Sequence, residues 1–274
     1  MEKSIFNISG KIIVVTGGMG QLGIQFTKIL LNSEAKVVIL DLIVNVKQLD
    51  LQLKEQEEND KLMLIKADVT KRESLEQALL KIKNKWGEVP YGLINNAALD
   101  SPPSAPAEET GPFEDFPEQS WNRVMDVNVK GVFLACQVFG KAMAEVGGGS
   151  IINIGSTYGM VSPDHRIYEY KAENGGDPFY KPVVYSASKS ALVNLTKYIA
   201  VYWAKSGVRA NMMGLGGVFN NQDNKFMEGY CAKVPMGRMA KEDEYNGTVV
   251  YLMSDAASYV TGTTIMLDGG WTAW

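Results

Sequence analysis

Lys11-Ile-Ile-Val-Val-Thr-Gly-Gly-Met-Gly-Gln-Leu-Gly23 is the stretch whose reading decides the fold. Lys11–Thr16 is a short β-branched run of the kind that fills a buried strand. Gly17, Gly20 and Gly23 then lie between that strand and a helical pattern over Gly20–Asn32. Glycine lets the chain turn tightly and lets a pyrophosphate approach a helix N-terminus, where unpaired N–H groups and the helix dipole favour anions. A glycine trio alone is a weak signal, because turns use glycine for backbone reasons too. Its setting strengthens it. A second strand, Lys36–Asp41, ends on an acid. A carboxylate there binds both ribose hydroxyls of NAD and repels the extra phosphate of NADP. Neither the turn nor Leu42 supplies a lysine or arginine for such a phosphate.

The alternation continues along the chain. Val46–Asn59 reads as a helix, Leu62–Ala67 as a strand, Glu73–Trp86 as a helix and Gly92–Asn95 as a strand. Gln119–Glu145 is a long helix, Ser150–Ile154 a strand, Val183–Lys205 a long helix and Val208–Met213 a strand. Glu242–Ser254 is a helix and Thr264–Leu267 a short last strand. Strands separated by helical crossovers predict an α/β fold: one doubly wound parallel sheet, a Rossmann fold, in a single domain over 1–274. Two stretches break the rhythm and read as unstructured inserts on the substrate side. Leu99–Pro117 is rich in proline and acid, and Gly159–Pro182 is polar and aromatic. Inserts of this length in a domain are often lids.

The 274 residues suffice for one large core, and 46% apolar with 21% charged residues is ordinary for a globular protein. A net charge of -4 points to neither nucleic acid nor an anionic membrane. No run approaches the roughly 20 apolar residues of a membrane span. Met1–Gly10 lacks the pattern of a signal peptide, so the expected location is cytoplasmic, with Cys136 and Cys231 reduced. His165 is the single histidine and has no Cys/His cluster around it, so no metal site is expected.

The chemistry centres on Tyr185-Ser-Ala-Ser-Lys189. Four residues apart on a helix, tyrosine and lysine share a face. The cation favours a tyrosinate that a free tyrosine, with a pKa near ~10, rarely forms at neutral pH. That makes a general base for an alcohol proton.

With these motifs the chain resembles the short-chain dehydrogenase/reductase family from about Gly10 to Gly270. Asn95-Asn-Ala-Ala98 is similar to that family's motif after the fourth strand, and Met125–Phe133 to its helix motif. Ile151–Ser156, the Tyr185/Lys189 pair, Val208–Gly217 and Gly262–Gly270 match further family stretches. The resemblance implies a catalytic quartet of Asn128, Ser156, Tyr185 and Lys189. It implies a cofactor site for NAD built from Gly17, Met19, Gly20, Gln21, Leu22, Gly23, Asp41, Leu42, Asp68, Val69, Asn96, Ala97, Tyr185, Lys189, Gly216 and Val218. It also implies a homotetramer built on the two long helices and the C-terminal strand, with Trp271 and Trp274 as expected contacts. From local sequence, Asp68 reads equally as an acceptor for the adenine amino group or as a helix cap. The glycine spacing TGxxGxxG resembles the extended members of the family, and Ala98, Leu215 and Asn220 replace residues usual in it. Ser156 and Tyr185 also stand farther apart than usual, which inserts a lobe between them.

That lobe carries the expected substrate contacts His165, Arg166 and Tyr168, beside Ser156 and Tyr185. Its hydrogen-bonding side chains suit a polar small molecule such as a sugar or sugar acid, interconverted between secondary alcohol and ketone. Lining the substrate and contacting another subunit both remain open for the lobe, and His165 reads as either a substrate contact or a surface residue. Three alternatives stand beside this reading: a reductase of another carbonyl such as a 3-oxoacyl thioester, a nucleotide-sugar modifying enzyme, and an NAD(H)-binding protein without catalysis.

Overall fold

Ile12 and Val14 face one side of the first strand, and Ile13 and Val15 the other; all four are buried. Such a strand has no solvent face, which is what a parallel sheet covered on both sides requires. The computed structural model describes residues 4–45, 49–100 and 107–274. The strands are β1 (Ile12–Thr16), β2 (Lys36–Asp41), β3 (Leu62–Lys66), β4 (Gly92–Asn95), β5 (Gly149–Ser156), β6 (Val208–Leu215) and β7 (Thr264–Leu267). They form one seven-stranded sheet in the order β3-β2-β1-β4-β5-β6-β7, every pair parallel. This is the doubly wound Rossmann-like arrangement. The order reverses between β1 and β4, and the carboxyl ends of those strands open a crevice there.

The helices are α1 (Gln21–Asn32), α2 (Leu51–Glu58), α3 (Arg72–Trp86), α4 (118–145), α5 (Val183–Trp203), α6 (Asn224–Cys231) and α7 (Asn246–Met253). Phe26 and Leu30 of α1 and Val249 and Leu252 of α7 bury against one face with Ile13, Val37 and Ile152. Leu75 and Ile82 of α3, Phe139 of α4 and Leu192 of α5 bury against the other with Val14, Val38 and Ile151. Each such side chain contributes roughly 1.5–3 kcal/mol relative to exposure. A third cluster, with Tyr158, Tyr168, Phe179, Phe226, Tyr230 and Trp271, lies at the carboxyl side of the sheet.

Several sequence expectations change. The helix expected from Val46 begins at Leu51, because Asp50 accepts the Leu53 N–H at 3.0 Å and caps it there; 46–48 lie outside the described residues. The helix expected from Glu242 begins at Asn246. Glu244 takes the Lys241 N–H and a two-armed bond from Arg238, which holds the preceding residues in a turn. Gly159–Pro182 is not unstructured. It forms 3-10 turns over His165–Gly175 and buries Ile167, Tyr168 and Phe179. Helix α6, against which the lobe packs, was not legible as a periodic run. In α4, α-helical segments are joined by π turns at Asp126–Gly131 and Cys136–Gly140. Trp271 is buried within its own chain, its ring centroid 4.8 Å from Tyr230, whereas Trp274 is exposed. Cys136 and Cys231 are free thiols, and burial pushes Cys136 up to about 12.

The turn into α1 is tight enough to test. A Cβ on Gly23 would stand 2.3 Å from the Gly17 carbonyl oxygen, whereas one on Gly247 meets nothing within 4 Å. Gly23→Ala is expected to lower the unfolding free energy by roughly 1–3 kcal/mol through overpacking. Gly247→Ala is expected to raise it by about 0.4–1 kcal/mol by restricting the unfolded chain. Urea midpoints at constant slope measure both, and equal shifts would contradict this description of the turn.

Candidate active site

The β1–α1 turn and the end of β4 are locked together. Gly17 has φ 61°, and a Cβ there would lie 2.7 Å from Ala97 Cα. Thr16 Oγ1 accepts the N–H groups of Asn96 (3.0 Å) and Ala97 (3.1 Å), and Asn96 Nδ2 donates to the carbonyls of Thr16 and Gly17. Gly20 caps α1 without a side-chain hydrogen bond, and no acid sits in the first turn. The helix therefore keeps its positive end unsatisfied by its own residues, beside a cleft lined by Gln21 and Leu22. Asp41 Oδ2 accepts the Met19 N–H at 3.0 Å and Oδ1 the Ile43 N–H at 3.3 Å, so the carboxylate braces the turn while Leu42 is exposed. A turn with no room for a side chain at Gly17 or Gly23, an open helix end and an acid at the end of β2 fit a dinucleotide. For Asp68 the structure shows a local turn and not the expected helix cap, since the N-cap of α3 is Lys71. Its Oδ1 accepts from Thr70 N–H (2.9 Å) and Thr70 hydroxyl (2.7 Å). Val69 packs under Gly131 of α4.

Three of the four expected catalytic residues meet at the end of β5. Ser156 is buried, its Oγ accepts the Tyr158 N–H at 3.2 Å, and it lines the same cleft as Tyr185. One turn further along α5, Lys189 is 4% exposed. Its Nζ donates to the Ile154 carbonyl at 2.8 Å and lies 5.8 Å from the Tyr185 ring centroid. Burial pulls the Lys189 ammonium down to about 8. Burial pushes Tyr185 upward, the Asp100 carboxylate adds to this, and the Ser156 hydroxyl opposes it. Asn128 sits in the first π turn, 1% exposed. Its Oδ1 accepts the Leu99 N–H (2.7 Å), and its Nδ2 donates to the Leu99 carbonyl (2.9 Å) and Ser188 Oγ (3.0 Å). It thus reaches the quartet through Ser188, the neighbour of Lys189.

Ser156, Tyr185 and Lys189, but not Asn128, line a cleft of about 640 Å³, together with Asn96, Gly216, Val218 and Tyr168. Tyr168 is buried there against Phe179, with centroids 4.7 Å apart. His165 and Arg166 are corrections. Neither lines the cleft: His165 sets its edge on Tyr180, and Arg166 grips Asp164 with two bonds at the start of the 3-10 turns. Asp164 also meets Lys233, so the arginine is held in a surface ion network and not aimed at the cleft. The structure instead brings in Asp100, Lys181 and Tyr230. Lys181 lies four residues before Tyr185, a spacing that sequence reading passed over because Pro182 separates it from the helix.

The family model described as enoyl-(acyl carrier protein) reductase matches residues 21–272. The chain is 30% identical over 272 residues to an NAD-dependent glycerol dehydrogenase of Listeria innocua, covering 97% of this chain and 96% of that protein. Its fold matches a short-chain dehydrogenase of Leptospira borgpetersenii with bound NAD+, at TM-score 0.84 and 32% identity, over 99% of this chain and 96% of the other. It also matches a gluconate 5-dehydrogenase of Burkholderia cenocepacia in complex with NADP and tartrate, at TM-score 0.82 and 25% identity, over 98% of both chains. With the nearly complete family-model match and relatives aligned end to end, the chain belongs to the short-chain dehydrogenase/reductase family of nicotinamide-dependent oxidoreductases.

Proposed function

We propose that the protein is an NAD-dependent dehydrogenase/reductase that interconverts a secondary alcohol and a ketone on a sugar, sugar acid or polyol. The observation that carries this is the meeting of Ser156, Tyr185 and Lys189 in one cleft with Gln21 and Leu22, the residues that open α1 beside the glycine turn. Gly17, Gly20, Gln21, Leu22 and Gly23 would hold the pyrophosphate, Asp41 the adenosine ribose, and Asn96, Gly216 and Val218 the nicotinamide side. The nicotinamide, when bound, takes up or delivers the hydride. Tyr185 takes the hydroxyl proton in oxidation and returns it in reduction. Ser156 donates a hydrogen bond to the substrate oxygen and stabilises its developing charge. Lys189 holds positive charge beside the phenol, anchored by the Ile154 carbonyl. Asn128 fixes Leu99 and α5 relative to one another and so keeps that geometry.

The cofactor reading rests on Asp41 and on the absence of a cation at Leu42. NAD is expected to bind more tightly than NADP in fluorescence titrations of the purified protein. Asp41→Ser with Leu42→Arg is expected to shift the preference toward NADP. Tighter NADP binding by the unaltered protein would overturn the assignment.

Tyr185→Phe is expected to lower turnover by at least roughly a hundredfold with dinucleotide affinity nearly intact. Oxidation needs the phenolate, and burial raises the pH at which it forms, so kcat/KM for the alcohol rises with pH. Reduction needs the protonated phenol and is favoured toward lower pH. Lys189→Ala removes the neighbouring cation and moves the rising limb to higher pH. A limb that does not move excludes Lys189 from this role.

A homotetramer fits the exposed stripe of α5, where Tyr198, Val201 and Tyr202 stand 66%, 80% and 66% exposed. Light scattering at micromolar concentration is expected to give a tetramer and Val201→Asp a smaller species. A monomeric parent protein sinks this reading.

A further inference from the structure

Asp100 and Lys181 come from the two inserts, one after β4 and one before α5, and they meet in the cleft. Lys181 Nζ stands 2.6 Å from Asp100 Oδ1. The lysine side chain is 10% exposed and the aspartate 47%, so the pair turns its acid toward the opening and keeps its cation inside. The same ammonium lies 4.8 Å from the Tyr185 ring centroid. The pair therefore forms part of the cleft wall beside the phenol ring.

The charges of the cleft decide what it accepts. Among the described residues lining it there are two lysines, Lys181 and Lys189, two aspartates, Asp100 and Asp223, and no arginine. Lys189 is deep and held by the Ile154 carbonyl. Asp223 accepts the Tyr170 hydroxyl at 2.5 Å and the Phe226 N–H at 2.9 Å. Arg166 and Lys233 are spent on Asp164 outside the cleft. A carboxylated substrate needs a cation that is not already neutralised. Lys181, the cation nearest the Tyr185 ring, is matched by a carboxylate that would repel a second one. A neutral polyol needs acceptors and donors side by side, and a carboxylate hydrogen-bonded by hydroxyls is among the stronger neutral–ion contacts.

We propose that the Asp100–Lys181 pair is the specificity element of the cleft, holding vicinal hydroxyls of a neutral polyol or its ketose and rejecting the corresponding sugar acid. The inference rests on the alcohol/ketone oxidoreductase reading above and narrows its substrate class. Asp100 accepts hydrogen bonds from substrate hydroxyls. Lys181 pairs with the carboxylate and donates to a hydroxyl oxygen. Neither residue transfers the reacting proton, so both act by positioning.

The test compares initial rates with NAD on matched pairs: glycerol and glycerate, xylitol and xylonate, glucitol and gluconate. For the best pair, the parent protein is expected to show a kcat/KM for the polyol at least roughly tenfold above that for the acid. Asp100→Asn leaves Lys181 as a cation without its carboxylate, and the ratio is expected to move toward the acid by roughly tenfold or more. Lys181→Met is expected to lower kcat/KM for the polyol with no gain on the acid. Thermal unfolding and NAD affinity of each variant separate these effects from misfolding. A purely structural pair would lower both substrates together and leave the ratio unchanged, and that result overturns the proposal. Preference of the parent protein for the acid overturns it too, while leaving the oxidoreductase reading standing. Failure of every polyol, acid and ketose in a protein that binds NAD overturns the oxidoreductase reading on these substrates and this inference with it.

Discussion

The site depends on one buried ammonium. Lys189 sits almost without solvent at the carboxyl end of β5, and its charge is disfavoured enough to bring its pKa down to about 8. A charge taken from water needs partners, and the Ile154 carbonyl at 2.8 Å is one that the sheet itself supplies. That carbonyl belongs to a strand whose two neighbours are fixed by parallel ladders on both sides. The ammonium position is therefore set by the core and not by a loop. Tyr185 lies one turn earlier on α5, so the distance between cation and phenol follows from helix geometry. The positive field that the phenol requires is built into the strand–helix packing.

The same logic explains why the sheet and much of the site could be read from the chain. Runs such as Ile12–Thr16 and Lys36–Asp41 alternate between two buried faces, so nearly every residue is apolar and the strands stand out. Gly17 and Gly23 were visible because backbone crowding admits no other residue. Tyr185 and Lys189 were visible because a fixed helical spacing is needed. The lobe was not legible in the same way. Tyr168 and Phe179 look like polar-loop aromatics in sequence, yet they bury against Phe226 and Tyr230 of a helix that carries no long apolar period. Arg166 attracted attention as a charge in that lobe, but Asp164, two residues earlier, captures it locally. Sequence position did not reveal which of these two fates a lobe side chain would have, because long-range packing decides it.

Asn128 shows how an irregular helix places a polar side chain against a neighbouring loop. A π turn leaves one extra residue per turn and releases a regular helix from its strict hydrogen-bond ladder. Asn128 lies within such a turn and spends its amide on both backbone groups of Leu99 as well as on Ser188. Nothing in the hydrophobic period of 118–145 announces this, since Phe139 and Val132 keep the same buried face on either side.

The consequence runs to the edge of the cleft. By holding the N–H and the carbonyl of Leu99, Asn128 fixes the direction in which the chain leaves β4, and the next residue is Asp100. Lys181 is set from the other side by its place just ahead of α5, the helix that also carries Ser188 and Tyr185. The charge pair therefore bridges two segments that are already tied to the same asparagine. Its ion-pair distance of 2.6 Å requires no long-range ordering of flexible chains on either side. The proposed specificity pair thus stands on insert residues tied to Asn128 and α5, beside a lysine whose position is set by the sheet.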